Sequence, residues 1–262
     1  MSLISSRSNN KVKRVRTLRK RKARQESKLF IVEGIRHVGE AVESHADLQS
    51  IFYAPGLLRS DYANSLIKRI WDQDIPCYPT TDDVFLSLAE KQNPQGILAI
   101  VHQPEITLDE LNPDVFRWGV AIVKPQDPGN IGTILRTIDA VGANGLILLD
   151  NGADPFHPSA VRASMGTIFW HTVVQTTFQL FSQWVNKHNY HVYGTSAHGN
   201  VDYRDLSHFD FPRILLMGSE REGLSSEQAS ICEQLIRLPM LGKATSLNLA
   251  VATGIMLYHM LE

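Results

Sequence analysis

The sequence predicts an α/β protein whose larger, C-terminal part is built on a parallel sheet, and three observations carry that prediction. From Trp118 onward, short apolar runs alternate with segments of helical period. The runs are continuously apolar, as strands are when helices cover both faces of a sheet. Three of them end in loops rich in Gly, Ser, Thr and Asn, at the carboxyl ends where open α/β sheets bind ligands. A smaller alternating α/β unit precedes this part.

Within residues 1–28, Val12, Val15 and Leu18 recur at three-residue intervals, the mark of a helix with one weakly apolar edge. Leu29-Phe30-Ile31-Val32-Glu33-Gly34 reads as a short strand ended by glycine. Ile35, Val38, Ala41 and Val42 then share one helix face. Residues 51–54 form a second strand and 62–71 a second helix. An extended segment over 76–79, a short helix over 81–88 capped by Thr81 or Asp82, and a strand over 96–101 complete the unit. Residues 102–117, with two prolines among polar residues, have linker composition. The expected domains are therefore 1–104, including the basic N-terminal segment, and 115–262.

In the second domain, strands are expected at 120–123, 146–149, 191–195, 214–217 and 234–238, with a further extended run at 169–174. Helices are expected at 131–141, 158–166, 178–188, 225–231 and 247–261. On the first of these, Ile131, Ile134, Leu135 and Ile138 form a buried stripe. Arg136 lies about 140° from Ile131 at ~100° per residue, so it points away from that stripe.

Composition narrows the class. At 262 residues, with 43% hydrophobic and 20% charged side chains, the chain has enough apolar material for a substantial core. No apolar run reaches membrane-spanning length and the polar N-terminus carries no signal-like stretch, while two well-separated cysteines suit a reducing cytoplasm, so a cytoplasmic protein is expected. Cys77 and Cys232 are far apart and form no CxxC, which argues against a disulfide framework or a zinc site. The histidines lack acidic partners at ligand spacing, so no metal is expected. Neither GxGxxG after the first strand of the second domain nor GxxxxGK[ST] is present, which disfavours an ordinary dinucleotide site and a P-loop.

The net charge of −1 conceals an asymmetry. Residues 1–28 carry eleven Lys and Arg against the single acid Glu26, leaving 15 basic and 26 acidic side chains elsewhere. A basic block on an acidic body directs a chain to a polyanion. Arg14, Arg16, Arg19, Lys22 and Arg24 are the candidate contacts for such a polyanion.

Three loops carry the chemistry. Pro128-Gly129-Asn130-Ile131-Gly132-Thr133-Ile134-Leu135-Arg136 follows the strand at 120–123. Met217-Gly218-Ser219-Glu220-Arg221-Glu222-Gly223-Leu224 follows the strand at 214–217, and Leu238-Pro239-Met240-Leu241-Gly242-Lys243-Ala244-Thr245-Ser246-Leu247-Asn248-Leu249 follows the last. In this order and spacing they resemble the three signature motifs of the SpoU (TrmH-like) branch of the SPOUT RNA methyltransferases. The likeness covers roughly residues 115–262. Phe30-Ile31-Val32-Glu33-Gly34 and Asn93-Pro94-Gln95-Gly96-Ile97 look like parts of the L30e/L7Ae-like substrate-binding domain that precedes many such catalytic domains.

The resemblance implies a parallel-sheet catalytic domain with a deep trefoil knot, a departure from ordinary unknotted topology. It implies S-adenosylmethionine as cofactor, methylation of a ribose 2′-hydroxyl in structured RNA, and a homodimer. Large-subunit (23S) ribosomal RNA is favoured, with transfer RNA or an antibiotic-resistance site as alternatives. A non-catalytic RNA-binding or ribosome-assembly protein is the reading of another class. Carried over by motif, Asn130, Arg136, Glu220, Ser246 and Asn248 are the catalytic candidates. Thr195, Ser196, Gly218, Leu238, Met240 and Leu247 would hold the cofactor. Arg162, with Ser164, resembles a further family element near the active face and is a candidate RNA contact.

The same residues also have plain structural roles to offer. Asn130 and Ser246 are each suited to cap a helix, whereas Asn248 is less suited to capping alone. Glu220 can orient Arg221 or Arg136, or border the cofactor. Gly218 and Gly242 can let backbone approach a ligand. On the last helix, Leu247, Val251, Gly254, Ile255 and Tyr258 form one stripe, and Leu249, Ala252, Met256 and His259 extend apolar character to another flank, which suits a partner subunit.

Overall fold

The computed structural model describes residues 2–90 and 93–261. The elements run α1 (Asn10–Thr17), α2 (Arg21–Ser27), β1 (Leu29–Glu33), α3 (Ile35–Glu43), β2 (Leu48–Tyr53), α4 (Asp61–Trp71), β3 (Cys77–Pro79), α5 (Asp82–Leu88) and β4 (Ile97–His102). Next come β5 (Trp118–Val123), α6 (Pro128–Val141), β6 (Gly145–Leu149), α7 (Pro158–Ser164), β7 (Thr172–Thr176), α8 (Phe178–Lys187) and β8 (His191–Thr195). The chain ends through β9 (Val201–Asp202), β10 (Arg213–Met217), α9 (Ser226–Ser230), β11 (Gln234–Arg237) and α10 (Leu249–His259). It divides into two units: Met1–Pro104 with Phe156–Phe169, and Glu105–Pro155 with Trp170–Glu262.

The first unit has a four-stranded sheet in the order β1-β4-β2-β3, with β4 antiparallel to both neighbours and β3 parallel to β2. The basic segment is part of this unit's core. Val12, Val15 and Leu18 on the apolar edge of α1 are buried against a cluster that includes Ile31, Phe52, Phe85 and Ile100. Each such burial stabilises by roughly 1.5–3 kcal/mol. Ile4 N–H donates to Pro79 O at 2.8 Å, so the chain ahead of α1 is tied to the sheet as well. The helical stretch breaks at Lys20, whose backbone is extended, and resumes as α2. Helix α7 also packs in this unit: the Phe30 ring on β1 lies 4.9 Å from Phe156 and 6.3 Å from Phe169.

The second unit is a seven-stranded, wholly parallel sheet in the order β7-β6-β5-β10-β8-β11-β9. Its interior strands are buried along their lengths, which explains their unbroken apolar runs. One core cluster joins Ala121, Ile147, Ile214 and Leu216 of the strands to Phe178, Phe181 and Trp184 of α8. The order of the strands reverses between β5 and β10. In an open parallel sheet that is the switch point at whose carboxyl side ligands bind.

Several boundaries differ from the sequence reading, for local reasons. Helix α6 begins at Pro128, three residues earlier than the apolar stripe indicates. Asp127 is its N-cap, accepting from Gly129 N–H at 2.8 Å, and proline at the first position has no N–H to leave unpaired. Helix α10 begins at Leu249 with Asn248 as cap, two residues later than expected. Strand β7 starts at Thr172, because Thr167–Phe169 turn as a short 3-10 helix. The two-residue edge strand β9 is too short to leave a periodicity.

Candidate active site

The first two motif loops leave β5 and β10, on either side of the switch point. The first loop enters α6, where Ile131, Ile134, Leu135 and Ile138 are fully buried. Asn130, in the first turn, is buried too, at 8% exposure. It is not the cap, which Asp127 supplies, so its side chain is free for other bonds. Its Nδ2 donates to Glu220 Oε1 at 2.6 Å, and its Oδ1 accepts from Asn248 Nδ2 at 3.0 Å. Glu220 also accepts from Gln126 N–H at 2.9 Å through Oε2. Asn248 Oδ1 in turn accepts from Ala250 and Val251 N–H, at 2.9 and 3.3 Å, and so caps α10.

One residue from each motif thus joins a continuous chain of hydrogen bonds, Glu220–Asn130–Asn248, anchored at the start of α10. The carboxylate acceptor makes its first link charge-assisted and strong. Glu220 is committed to Asn130 and the Gln126 backbone, and it makes no bond to Arg221 or Arg136 among the described residues, contrary to one sequence expectation. The expected cap role of Ser246 likewise fails. Asn248 does that work with its carbonyl oxygen while using its amide nitrogen on Asn130, and Ser246 is exposed in the preceding loop. Arg136 points to solvent as its place on the helical wheel requires, but the network does not include it.

The second motif folds as a tight turn in which Ser219 and Gly223 exchange backbone hydrogen bonds, both at 3.0 Å. Gly223 has a φ of 68°, a conformation glycine adopts at no cost. Gly218 is small for this turn's sake. A Cβ there would lie 2.3 Å from Gly223 C, so the turn's own backbone already requires glycine at this position. Gly242 has no neighbour within 4 Å of a built Cβ and lies in an exposed loop, so nothing in the fold demands a glycine there.

Next to this turn lies the loop after β8. Thr195 Oγ1 donates to Met217 Sδ at 3.4 Å, and Ser196 N–H donates to Ile236 O at 3.0 Å. A Cβ on Gly199 would meet Leu235 O at 2.5 Å, so this loop runs directly against the backbone of β11. Behind it, Cys232 is packed so close to Gly194 that burial pushes its thiol up to about 12. Leu238 and Met240 are partly exposed and Leu247 is 38% exposed. No peptide group of residues 240–247 is hydrogen-bonded to a described residue. The backbone donors and acceptors of this loop are therefore open to solvent or to a ligand. Among the described residues, no group of His, Cys, Asp and Glu is arranged to hold a metal ion.

The candidate RNA contacts divide by environment, all in the first unit. Arg14 and Lys22 are exposed. Arg16 donates to Ser87 O and Arg7 O, at 3.3 and 3.2 Å, and Arg19 to Leu88 O and Ala89 O at 2.7 and 2.8 Å. These two arginines therefore satisfy carbonyls at the C-terminal end of α5. Arg24 is a correction to the sequence reading. It is 1% exposed and its Nη1 donates to Leu18 O and Arg19 O at 2.8 and 2.9 Å, closing the end of α1. A guanidinium used in this way does not meet a phosphate. Arg162 is exposed but sits 3.9 Å from Glu90, and Ser164 is fully buried with its hydroxyl on Val161 O. Both belong to the first unit, whereas the motif loops belong to the second. Sequence reasoning missed Gln126 and Asp127, which have only an Asp-Pro pair as signal. The two phrases singled out in the first domain do meet: Gly34 N–H donates to Ile97 O and Ile35 N–H to Gln95 Oε1, both at 3.0 Å.

A parallel sheet with three carboxyl-end loops knitted by a chain of polar side chains centred on the buried Asn130 has the form of a ligand-binding α/β unit. Comparison with known proteins identifies the class. The SpoU rRNA Methylase family matches residues 118–258, and an MRM3-like substrate binding domain matches residues 9–99. The chain belongs to the SpoU rRNA methylase family. A 23S rRNA (uridine(2479)-2′-O)-methyltransferase of Streptomyces viridochromogenes is 34% identical over 239 residues, 88% of this chain and 81% of that protein. The 23S rRNA (guanosine(2553)-2′-O)-methyltransferase RlmP of Bacillus subtilis is 30% identical across 99% of both chains. The AdoMet-bound structure of an rRNA methyltransferase from Sinorhizobium meliloti superposes with a TM-score of 0.90 at 33% identity, covering 99% of this chain and 97% of that one.

Proposed function

We propose that this protein is an S-adenosylmethionine-dependent RNA ribose 2′-O-methyltransferase acting on 23S ribosomal RNA. The observation that carries the proposal is the Glu220–Asn130–Asn248 chain, which locks the three family motifs into one site. Relatives named as 23S rRNA 2′-O-methyltransferases, matched over 88% and 99% of this chain, favour ribosomal over transfer RNA as the acceptor.

In this reading residues 115–262 are the catalytic domain and 1–104 recognise RNA. The backbone of the loops at Thr195, Ser196, Gly218, Leu238, Met240 and Leu247 holds the cofactor, which when bound supplies an electrophilic methyl group. On transfer the acceptor 2′-oxygen would take the methyl as the methyl–sulfur bond breaks, and would release its proton to solvent. That hydroxyl is a poor nucleophile at neutral pH, and Arg136, exposed and uncommitted to the network, stabilises the negative charge that develops on it or clamps the adjacent phosphate. Asn130, Glu220 and Asn248 set the positions of the loops, and the Ser246 hydroxyl is exposed to meet the ribose. Arg14 and Lys22 meet phosphates directly. Arg16 and Arg19 add positive potential while fastening α5, and Arg162 contributes from α7.

We also propose a deep trefoil knot formed by the loops after β10 and β11. The close backbone packing at Gly199 and Gly218 supports it. The two-sided apolar character of α10 supports a homodimer. Leu249, Met256 and Leu257 are buried, while Val251, Ile255 and Tyr258 leave 51, 36 and 58% exposed on the opposite face. A cytoplasmic location suits an rRNA acceptor and two unpaired thiols.

The test is methyl transfer from labelled cofactor to 23S rRNA, with the product mapped as a 2′-O-methyl group. Arg136→Ala should lose transfer while keeping its fold and cofactor affinity, and Arg136→Lys should not restore it, lacking the planar fork. Wild-type turnover by the alanine variant would overturn the role of Arg136.

A further inference from the structure

A groove in the first unit lies between α1 and the β2–β3 side of the sheet, with a volume of about 250 Å³. Lys11 and Arg14 of α1 stand at its rim and are exposed. Phe52 and the aliphatic side chains of α1 and β4 supply apolar wall. Tyr78 of β3 presents an aromatic ring, which the Lys11 ammonium covers at 4.5 Å from its centroid while donating to the phenol oxygen at 3.3 Å. Gln49 enters the groove where the pairing of β2 with β4 shifts register between Leu48 and Ser50. Ser50 is 7% exposed, lines the same groove, and its hydroxyl has no hydrogen bond to a described residue.

A hydroxyl without a protein partner that stays open to the groove can donate to or accept from a ligand there. Here it sits with an amide in a slot that has an aromatic face and two cations at its mouth. Unpaired nucleobases are recognised in this way, by stacking on an aromatic ring with hydrogen bonds to the base edge and basic side chains on the flanking phosphates. The volume is near the lower end of small-ligand pockets, suited to a single base.

We propose that this groove binds one unpaired nucleobase of the RNA substrate. The base stacks on Tyr78 in place of the Lys11 ammonium, its edge bonds to Ser50 and Gln49, and Lys11 and Arg14 take the adjoining phosphates. The proposal rests on the reading that the protein acts on RNA, and adds that its first unit selects single-stranded nucleotides.

The experiment uses the full chain and two fluorescent RNA probes: a hairpin whose loop carries 4-thiouridine, and a blunt duplex with the stem's sequence. Tyr78→Ala should weaken hairpin binding roughly tenfold. It should leave duplex binding and the salt dependence unchanged. Tyr78→Phe, which keeps the ring and so guards against loss of folding, should retain most of the affinity. Lys11→Glu and Arg14→Glu should weaken binding and flatten its salt dependence more than Lys13→Glu, an exposed charge on the same helix outside the groove. Illumination should crosslink the hairpin to the peptide containing Tyr78. Hairpin affinity indifferent to Tyr78→Ala, or a crosslink only outside the groove, would overturn the proposal. Methyl transfer to 23S rRNA is measured on the same proteins. Transfer by the wild type with a groove that does not matter overturns the groove alone. Groove-dependent binding without transfer supports the groove and overturns the enzymatic reading alone.

Discussion

Exchanging Asn130 for Asp replaces one nitrogen by oxygen and removes the donor of the hydrogen bond that joins the first two motifs. In the native site the Asn130 amide donates to Glu220 at 2.6 Å. In Asn130→Asp two carboxylates face each other there. The lost bond to a charged acceptor is worth about 1.5–3 kcal/mol. Glu220 is exposed, so water screens the new repulsion to about 1 kcal/mol, and the two carboxylates move apart. The expected destabilisation is roughly 3 kcal/mol. Glu220→Gln alone sets two amide donors against each other and costs roughly half as much. The double variant restores a matched pair with donor and acceptor exchanged, since the new amide donates to the new carboxylate while its oxygen still accepts from Gln126 N–H. The cycle should therefore show a favourable coupling of about 2 kcal/mol or more. Urea unfolding of the four proteins, with cofactor affinity measured alongside, gives the number. Effects that add to within about 0.5 kcal/mol would show that the two side chains do not interact, and would refute the relay.

Further expectations concern the basic segment, the thiols and the last helix. Arg24→Ala removes two hydrogen bonds from a buried guanidinium and should cost roughly 2–3 kcal/mol, whereas Lys22→Ala should change stability by less than about 0.5 kcal/mol. Equal melting temperatures for the two variants would contradict the buried role of Arg24. Burial pushes Cys77 up to about 11 and Cys232 up to about 12, so both stay protonated at pH 8 and should react slowly with a disulfide reagent until guanidinium is added. Full labelling of the native protein on mixing would argue against that burial. Ile255→Glu, on the exposed face of α10, should convert a dimer to a 29.4 kDa monomer that keeps its secondary structure by circular dichroism and melts somewhat lower, having lost the linkage to dimerisation. A wild type that sediments as a monomer at micromolar concentration would remove the basis for that interface.

Much of this architecture is written locally. Unbroken apolar runs such as those of β5, β6 and β10 announce a parallel sheet because both faces are buried, and the stripe Ile131, Ile134, Leu135, Ile138 sets which way α6 faces and hence that Arg136 meets solvent. The motifs are legible for a similar reason: a loop at a strand's carboxyl end needs particular small and polar residues in a fixed order. What a side chain bonds to depends on residues far away in sequence, and periodicity carries no such information. Asn130 could be a cap or a hydrogen-bonding partner until the fold brought Glu220 and Asn248 to its two ends and gave the cap to Asp127. Nothing local separates Arg24 from Lys22. Tertiary packing decided that one guanidinium closes the end of α1 in the interior while its neighbour stays in water, because only the folded chain determines which carbonyls are left without a partner.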